Sequence, residues 1–412
     1  MNVRRSAAVL AAATALTCAA TPAMAASPSP SPTPVIPSGL YGDADPTYDG
    51  VWRQSLALLA QDTVGVRPAD QAVDWLTGQQ CATGAFAAFR TDAAKPCDAE
   101  LIVDSNSTAA AVQALAALGG HDAAVDKAVG WLKSVQNTDG GWGYAPGGAS
   151  DANSTSVVIG ALTAAGEKPA GAVKGGHSPY DALLKLALPC DAGGAFAYQP
   201  DKQGKLTANA DATAAGVLGA LGLGMAPGAG RATDAVCAGT GRATPQQAAA
   251  SGAAYLAKSV AKDNHLMSVL PGAENQPDYG NTADAVVALA AQGGAERAEK
   301  PLAWLEKNSA AWAEQSGPAA YAQLIFAAHA TGSDPRAFGG TDLVAALNAT
   351  GPTPQPAGNS GKTATDEPGD KADDAKGEDS DDGYGVWWTV GVFLVAGIGI
   401  GFLISGRRKQ RP

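Results

Sequence analysis

The chain is predicted to be all-α, with about six inner helices sheathed by about six outer ones. Three observations predict this. A helix-opening pentad recurs: Asp104-Ser105-Asn106-Ser107-Thr108, Asp151-Ala152-Asn153-Ser154-Thr155, Asn209-Ala210-Asp211-Ala212-Thr213 and Asp278-Tyr279-Gly280-Asn281-Thr282. Each is followed, eleven residues after its Thr, by a glycine: Gly119, Gly166, Gly224 and Gly293. Between opening and stop the residues are nearly all Ala, Val and Leu, and a helix that is small and apolar all round is a buried one. Alternating β-branched runs are missing, so strands have little support.

The elements follow in order. Asp, Asn, Ser and Thr open helices because their side-chain oxygens accept the orphan amide protons of the first turn. Glycine closes them because it enters the left-handed region without a Cβ clash. The fullest copy of the repeat runs from Ala128 to Gly166, a helix hairpin with both ends marked. A degraded fifth copy keeps Gly317, Tyr321 and Gly332. A partner helix precedes each inner one, around Trp75, Trp131, Leu183, Tyr255 and Trp304. These mix charge with an apolar stripe, as a half-solvated outer layer does. Helices near Val51 to Gln61 and Thr341 to Asn348 complete the set. Alternating buried and amphipathic helices must stack on their neighbours, as an open superhelix or a closed barrel. Ala-rich inner helices favour closure, because small residues let helices approach in a tight ring.

The flanks read differently. Residues 1–25 form a secretory signal, with Arg4 and Arg5, an apolar run and Ala23-Met24-Ala25 as the cleavage site. Residues 26–46 are a Ser/Pro-rich spacer. The repeat domain is expected over 47–350. An acidic tether, 351–385, sets nine acids against three lysines and has almost no apolar residues. Residues 386–405 are apolar enough for one transmembrane helix, and 406–412 carry Arg407, Arg408, Lys409 and Arg411. Positive charge stays cytoplasmic. The expected protein is exported, anchored once in a bacterial cell membrane, with its body outside. The net charge is −11 and no basic stripe exists, so nucleic acid is not an expected partner. Four cysteines remain after the signal, an even number that suggests disulfides. Of three possible pairings, Cys81–Cys97 with Cys190–Cys237 is preferred, because each bridge closes a loop within one repeat.

The run Gln136-Asn137-Thr138-Asp139-Gly140-Gly141-Trp142-Gly143 resembles the QW-type repeat of the terpenoid cyclase and protein prenyltransferase superfamily. Gln79 to Phe86 is a fainter copy. The resemblance implies an α/α toroid. It does not by itself imply an activity, because the superfamily holds cyclases, prenyltransferases, thioester domains and the transcobalamin-like carriers. Cyclases of the squalene-hopene type open an inner helix with D-x-D-D-T, whose middle acid protonates the substrate. Here that acid survives only as Asp211, between Asn209 and Ala212 where acids should flank it. Asp379-Ser380-Asp381-Asp382 spells the motif but lies in the tether, where nothing can dry it. The prenyltransferase zinc site needs Asp, Cys and His together, and His121, His177, His265 and His329 stand in no such constellation. A thioester motif fails at Cys81, which is followed by Ala82-Thr83-Gly84.

The carrier resemblance therefore implies a non-catalytic binding protein with no metal site and no cofactor. It would hold a small ligand, a corrinoid or an isoprenoid. Such carriers have a second, β-rich domain over the ligand, and no segment here matches it. A second capping protein would supply it, and a membrane transporter would receive the ligand. The alternatives are an enzyme with Asp211 as general acid and a structural interaction module. Candidate ligand contacts are Asp104, Asn106, Asp151, Asn153, Asn209, Asp211, Asp278 and Asn281. The aromatic residues Trp142, Tyr144, Phe196 and Tyr198 join them. The polar residues are helix caps first of all, and helix starts in a toroid gather at one rim.

Overall fold

The computed structural model describes residues 36–233, 236–237, 243–268 and 275–356. The expected signal, tether, membrane helix and basic tail lie outside them, apart from residues 351–356. Among the described residues, no helix is long and apolar enough to cross a membrane.

The inner row consists of α1 (Gly50–Thr63), α3 (Ser105–Leu118), α5 (Ala152–Ala164), α7 (Ala210–Leu221), α9 (Tyr279–Gly293) and α12 (Pro318–Thr331). Each packs on the next, and α12 packs back on α1, which closes the ring. The outer row is α2 (Asp70–Gly78), α4 (Asp122–Ser134), α6 (Pro179–Lys185), α8 (Pro245–Val260), α10 (Glu299–Asn308) and α13 (Leu343–Ala349). A short α11 (Ala310–Ser316) leads into α12. The fold is an all-α toroid whose core lies between the two rows.

Small residues make the closure possible. A Cβ on Gly219 of α7 would lie 2.4 Å from Ser156 Oγ of α5, and one on Gly160 would lie 2.8 Å from Gly224 Cα. Those approaches exclude any side chain larger than hydrogen. The large residues are spent elsewhere, with Leu58, Leu115, Ile159, Leu162 and Leu289 fully buried. Burying one such side chain is worth about 1.5–3 kcal/mol.

Two helix stops differ from expectation. The residue that caps α7 is Gly222, at φ +72°, and the one that caps α9 is Gly294, at φ +87°. Gly224 lies two residues farther on than Gly222, where an added Cβ would meet Gln113 Oε1 at 2.6 Å. It serves a close approach and caps nothing. Two small hairpins also appear: β1 (Phe86–Ala87) with β2 (Val103–Asp104), and β3 (Leu266–Ser268) with β4 (Gln276–Asp278). They tie the segment after an outer helix to the start of the next inner helix.

The fifth residue of the pentad explains the repeat. Thr108, Thr155, Thr213 and Thr282 each accept a backbone N–H through Oγ1, from Phe86, Trp142, Phe196 and Leu266 at 2.9–3.1 Å. Two residues past the first three of these donors, a carbonyl takes an amide from the opening of the preceding inner helix. Ala88 O accepts from Val51, Tyr144 O from Ser105 and Tyr198 O from Ala152. Each glycine-aromatic segment thus staples the starts of two adjacent inner helices. Thr213→Val is expected to strand the buried Phe196 N–H and cost about 1–3 kcal/mol, with Thr213→Ser close to wild type. Urea denaturation measures both.

Both preferred disulfides are present, Cys81–Cys97 and Cys190–Cys237. The second spans α7, so within one repeat it clips the loop before that helix to the loop after it. The body also reaches beyond 47–350. Leu40 and Tyr41 are buried, and Gly42 N–H donates to Thr350 O at 2.8 Å. Tyr41 Oη donates to Pro352 O, and Gln355 N–H to Arg67 O. Residues from the expected spacer and tether therefore seal the ring where its two ends meet.

Candidate functional site

Helices α3, α5, α7 and α9 open on side chains that cap them. Asp104 Oδ1 accepts from Ser107 N–H and Asp151 Oδ1 from Ser154 N–H, both at 2.6 Å. Asn209 Oδ1 accepts from Ala212 N–H at 2.7 Å, and Asp278 Oδ1 from Asn281 N–H at 3.1 Å. Asp278 also holds the Asn281 amide at 2.8 Å, through Oδ2. These residues are committed to their helices before any ligand arrives. Asp104 and Asp151 are fully buried, and burial pushes both carboxyls up to about 6 against the pull of their hydrogen bonds. Asn209 is exposed.

The third pentad positions are Asn106, Asn153, Asp211 and Gly280. They are freer to act. Asn153 Nδ2 donates to Asp211 Oδ2 at 2.7 Å, across from α5 to α7. Asn153 Oδ1 and Asn106 Oδ1 are buried and have no hydrogen-bond partner within the protein. Asp211 itself is half-buried and partly open to solvent, yet desolvation pushes its carboxyl up to about 6, with Asp278 and Asp151 adding to the rise and Asn153 opposing it. A group that is reachable and still strongly desolvated sits in a recess.

Sequence reasoning missed two members of this recess, Asp284 and Gln323. Gln323 Nε2 on α12 donates to both Asp284 carboxylate oxygens at 3.2 Å. Asp284 is also half-buried, and its carboxyl is pushed up to about 7, first by desolvation and then by Asp211, with Asp278 adding a smaller push. Among the described residues, no Lys, Arg or His shifts either acid. The signal was available, since Asp284 is the one charged residue within the otherwise small and apolar α9.

The aromatic candidates divide. Trp142 and Phe196 are fully buried, which removes them from the ligand set. The Trp142 indole N–H donates to Leu132 O at 2.7 Å, and the Phe196 ring fills the space over Gly216. Their role is interhelix packing. Tyr144 and Tyr198 are half-buried, and the nearby charges of Asp104 and Asp151 add to the burial that raises their hydroxyls. A different aromatic set starts beside the recess, where Trp312 and Gln323 both approach Gly280. Trp312 stacks on Tyr279 at 5.5 Å, Tyr279 on Trp304 at 5.1 Å, and Trp304 on His265 at 4.1 Å. Among the described residues no three His, Cys, Asp or Glu side chains converge to hold a metal.

No protein family matches the chain, and no curated protein does. Among solved structures it is similar to ent-copalyl diphosphate synthase from Streptomyces platensis, at 17% identity and a TM-score of 0.44. That likeness covers 69% of this chain and 50% of the synthase, so the chain spans about half of the synthase's length. It is also similar to a protein from Actinoplanes, at 15% identity and a TM-score of 0.33, over 68% of this chain and 100% of that one. At such distances the likeness carries no activity across.

Proposed function

We propose that this chain is a non-catalytic binding protein whose toroid takes a small, donor-rich ligand at the helix-start rim. One observation carries the reading. Asn106 and Asn153 bury side-chain oxygens with no partner, and Asn153 lies against the Asp211 carboxyl, which no cation among the described residues neutralises. A buried acceptor left unmet costs about 1–3 kcal/mol, and a ligand bearing N–H groups recovers it. A corrinoid, edged with primary amides, offers such donors. An isoprenoid hydrocarbon offers none, and its diphosphate would face uncompensated carboxyls. In this reading the protein is exported and membrane-anchored. It works with a second capping protein and passes its ligand to a membrane transporter.

The alternative is a cyclase-like enzyme with Asp211 as general acid, favoured by the raised carboxyl. Against it, Asn153 donates to Asp211 and so favours the carboxylate, and the flanking positions hold Asn209 and Ala212.

Thermal unfolding with cyanocobalamin, cobinamide and geranylgeranyl diphosphate separates the readings. A corrinoid at a hundredfold excess over its Kd is expected to add ~2.7 kcal/mol of stability. Asp211→Asn is expected to retain most of that gain, whereas an enzyme would lose turnover. No shift with either corrinoid sinks the corrinoid assignment.

A further inference from the structure

We infer that the recess between α7, α9 and α12 is a subsite for the primary ammonium group of an organic ligand, with the Trp312 ring beside it. This rests on the binding reading above and narrows its chemistry.

Charge is the first argument. Asp284 feels Asp211 and Asp278, and Asp211 feels Asp278 and Asp151. Among the described residues, every charged group that shifts the pair is an acid, and the side chains that donate to it are the neutral amides of Asn153 and Gln323. An amide orients a carboxylate without neutralising it. The second argument is independent. Asn153 is 6% exposed and spends its Nδ2 on Asp211, which leaves its buried Oδ1 unpartnered at the same spot. The recess therefore offers acceptors and asks for a donor that carries positive charge. Among the described residues, no third His, Cys, Asp or Glu joins the acids to make a metal-ligand set. An ammonium group, whose three N–H bonds diverge, suits acceptors spread over neighbouring helices.

The aromatic wall is the third argument. A Cβ on Gly280 would lie 3.5 Å from Gln323 Oε1 and 3.7 Å from Trp312 Cζ2. The ring thus borders the amide that holds Asp284. Gly280 stands where other repeats place Asn106, Asn153 and Asp211, so no side chain from this position covers the ring. Trp312 is held in place by its stacking on Tyr279. A cation beside an indole gains from the ring quadrupole.

Calorimetric titration of the full-length chain with n-butylammonium and with neutral n-butanol, at pH 8 and constant ionic strength, tests the subsite. Saturable binding of the ammonium alone is expected. At least tenfold weakening is expected in Asp284→Asn and in Asp211→Asn, both nearly isosteric and checked for fold by circular dichroism. Trp312→Leu is expected to weaken binding severalfold. No saturable binding, equal binding of n-butanol, or an affinity unchanged in both Asp variants overturns the subsite. Corrinoid binding without ammonium binding removes the subsite and leaves the binding reading intact. The reverse result keeps the subsite and removes the corrinoid.

Discussion

Trp142→Ala is expected to be among the most destabilising single substitutions in this protein, costing about 3–5 kcal/mol. Trp142 is the largest fully buried side chain among the described residues. Its truncation opens a cavity between the rows and strands the Leu132 carbonyl that the indole N–H satisfies. The damage falls at a junction, because Trp142 N–H is held by Thr155 on α5 while Tyr144 O holds Ser105 on α3. Loss of the anchor therefore loosens two inner helices together. Trp142→Phe keeps most of the volume and loses the hydrogen bond, so a smaller cost is expected. Urea denaturation followed by far-UV circular dichroism measures both. A cost below about 1 kcal/mol for the alanine variant would show that the aromatic anchor does not hold the ring.

Stability is expected to fall as pH rises from 5 to 8, and Asp284→Asn is expected to remove part of that fall. The sign follows from the direction of the shifts. The Asp284 carboxyl is raised from 3.8 to about 7 in the folded chain, so the native state holds that proton more tightly than the unfolded state does. Such a group contributes stability that is fully present below its unfolded value and lost as pH rises through its folded one. Asp104, Asp151 and Asp211, each raised to about 6, act in the same direction over a lower window. Asp211 and Asp284 interact, so the recess titrates as a unit. At pH 8 the asparagine variant is expected to gain on the order of 1–2 kcal/mol, less than the whole shift implies because water reaches the recess. Melting temperatures at pH 5, 6.5 and 8 check this. A flat profile in the wild-type chain would mean that the recess is better solvated than its geometry implies.

Much of this was readable from local chemistry. A cap satisfies amides within its own first turn, so Asp104, Asp151, Asn209 and Asp278 could be placed as helix starts without knowing the fold. Helix burial could be read because an all-apolar helix has nowhere else to go. The glycine stops were less secure, since α7 and α9 each had a second glycine within two residues. Gly222 and Gly294 cap, whereas Gly224 is needed for a close approach that only the neighbouring helix reveals. The aromatic candidates show the same limit. Nothing local distinguishes a ring that packs from a ring that meets a ligand, and Trp142 and Phe196 prove to pack.

The order of helices, their caps and the alternation of buried and half-solvated rows were legible in the residues, because those properties depend on neighbours within a few positions. Whether the rows close, and which polar groups then face one another, was settled by packing between segments far apart in the chain. The charge of Asp211 on α7 is felt by Asp284 on α9, and Gln323 reaches Asp284 from α12. A carboxyl acquires its unusual proton affinity only when folding strips its water and brings other acids close, and no linear pattern encodes that.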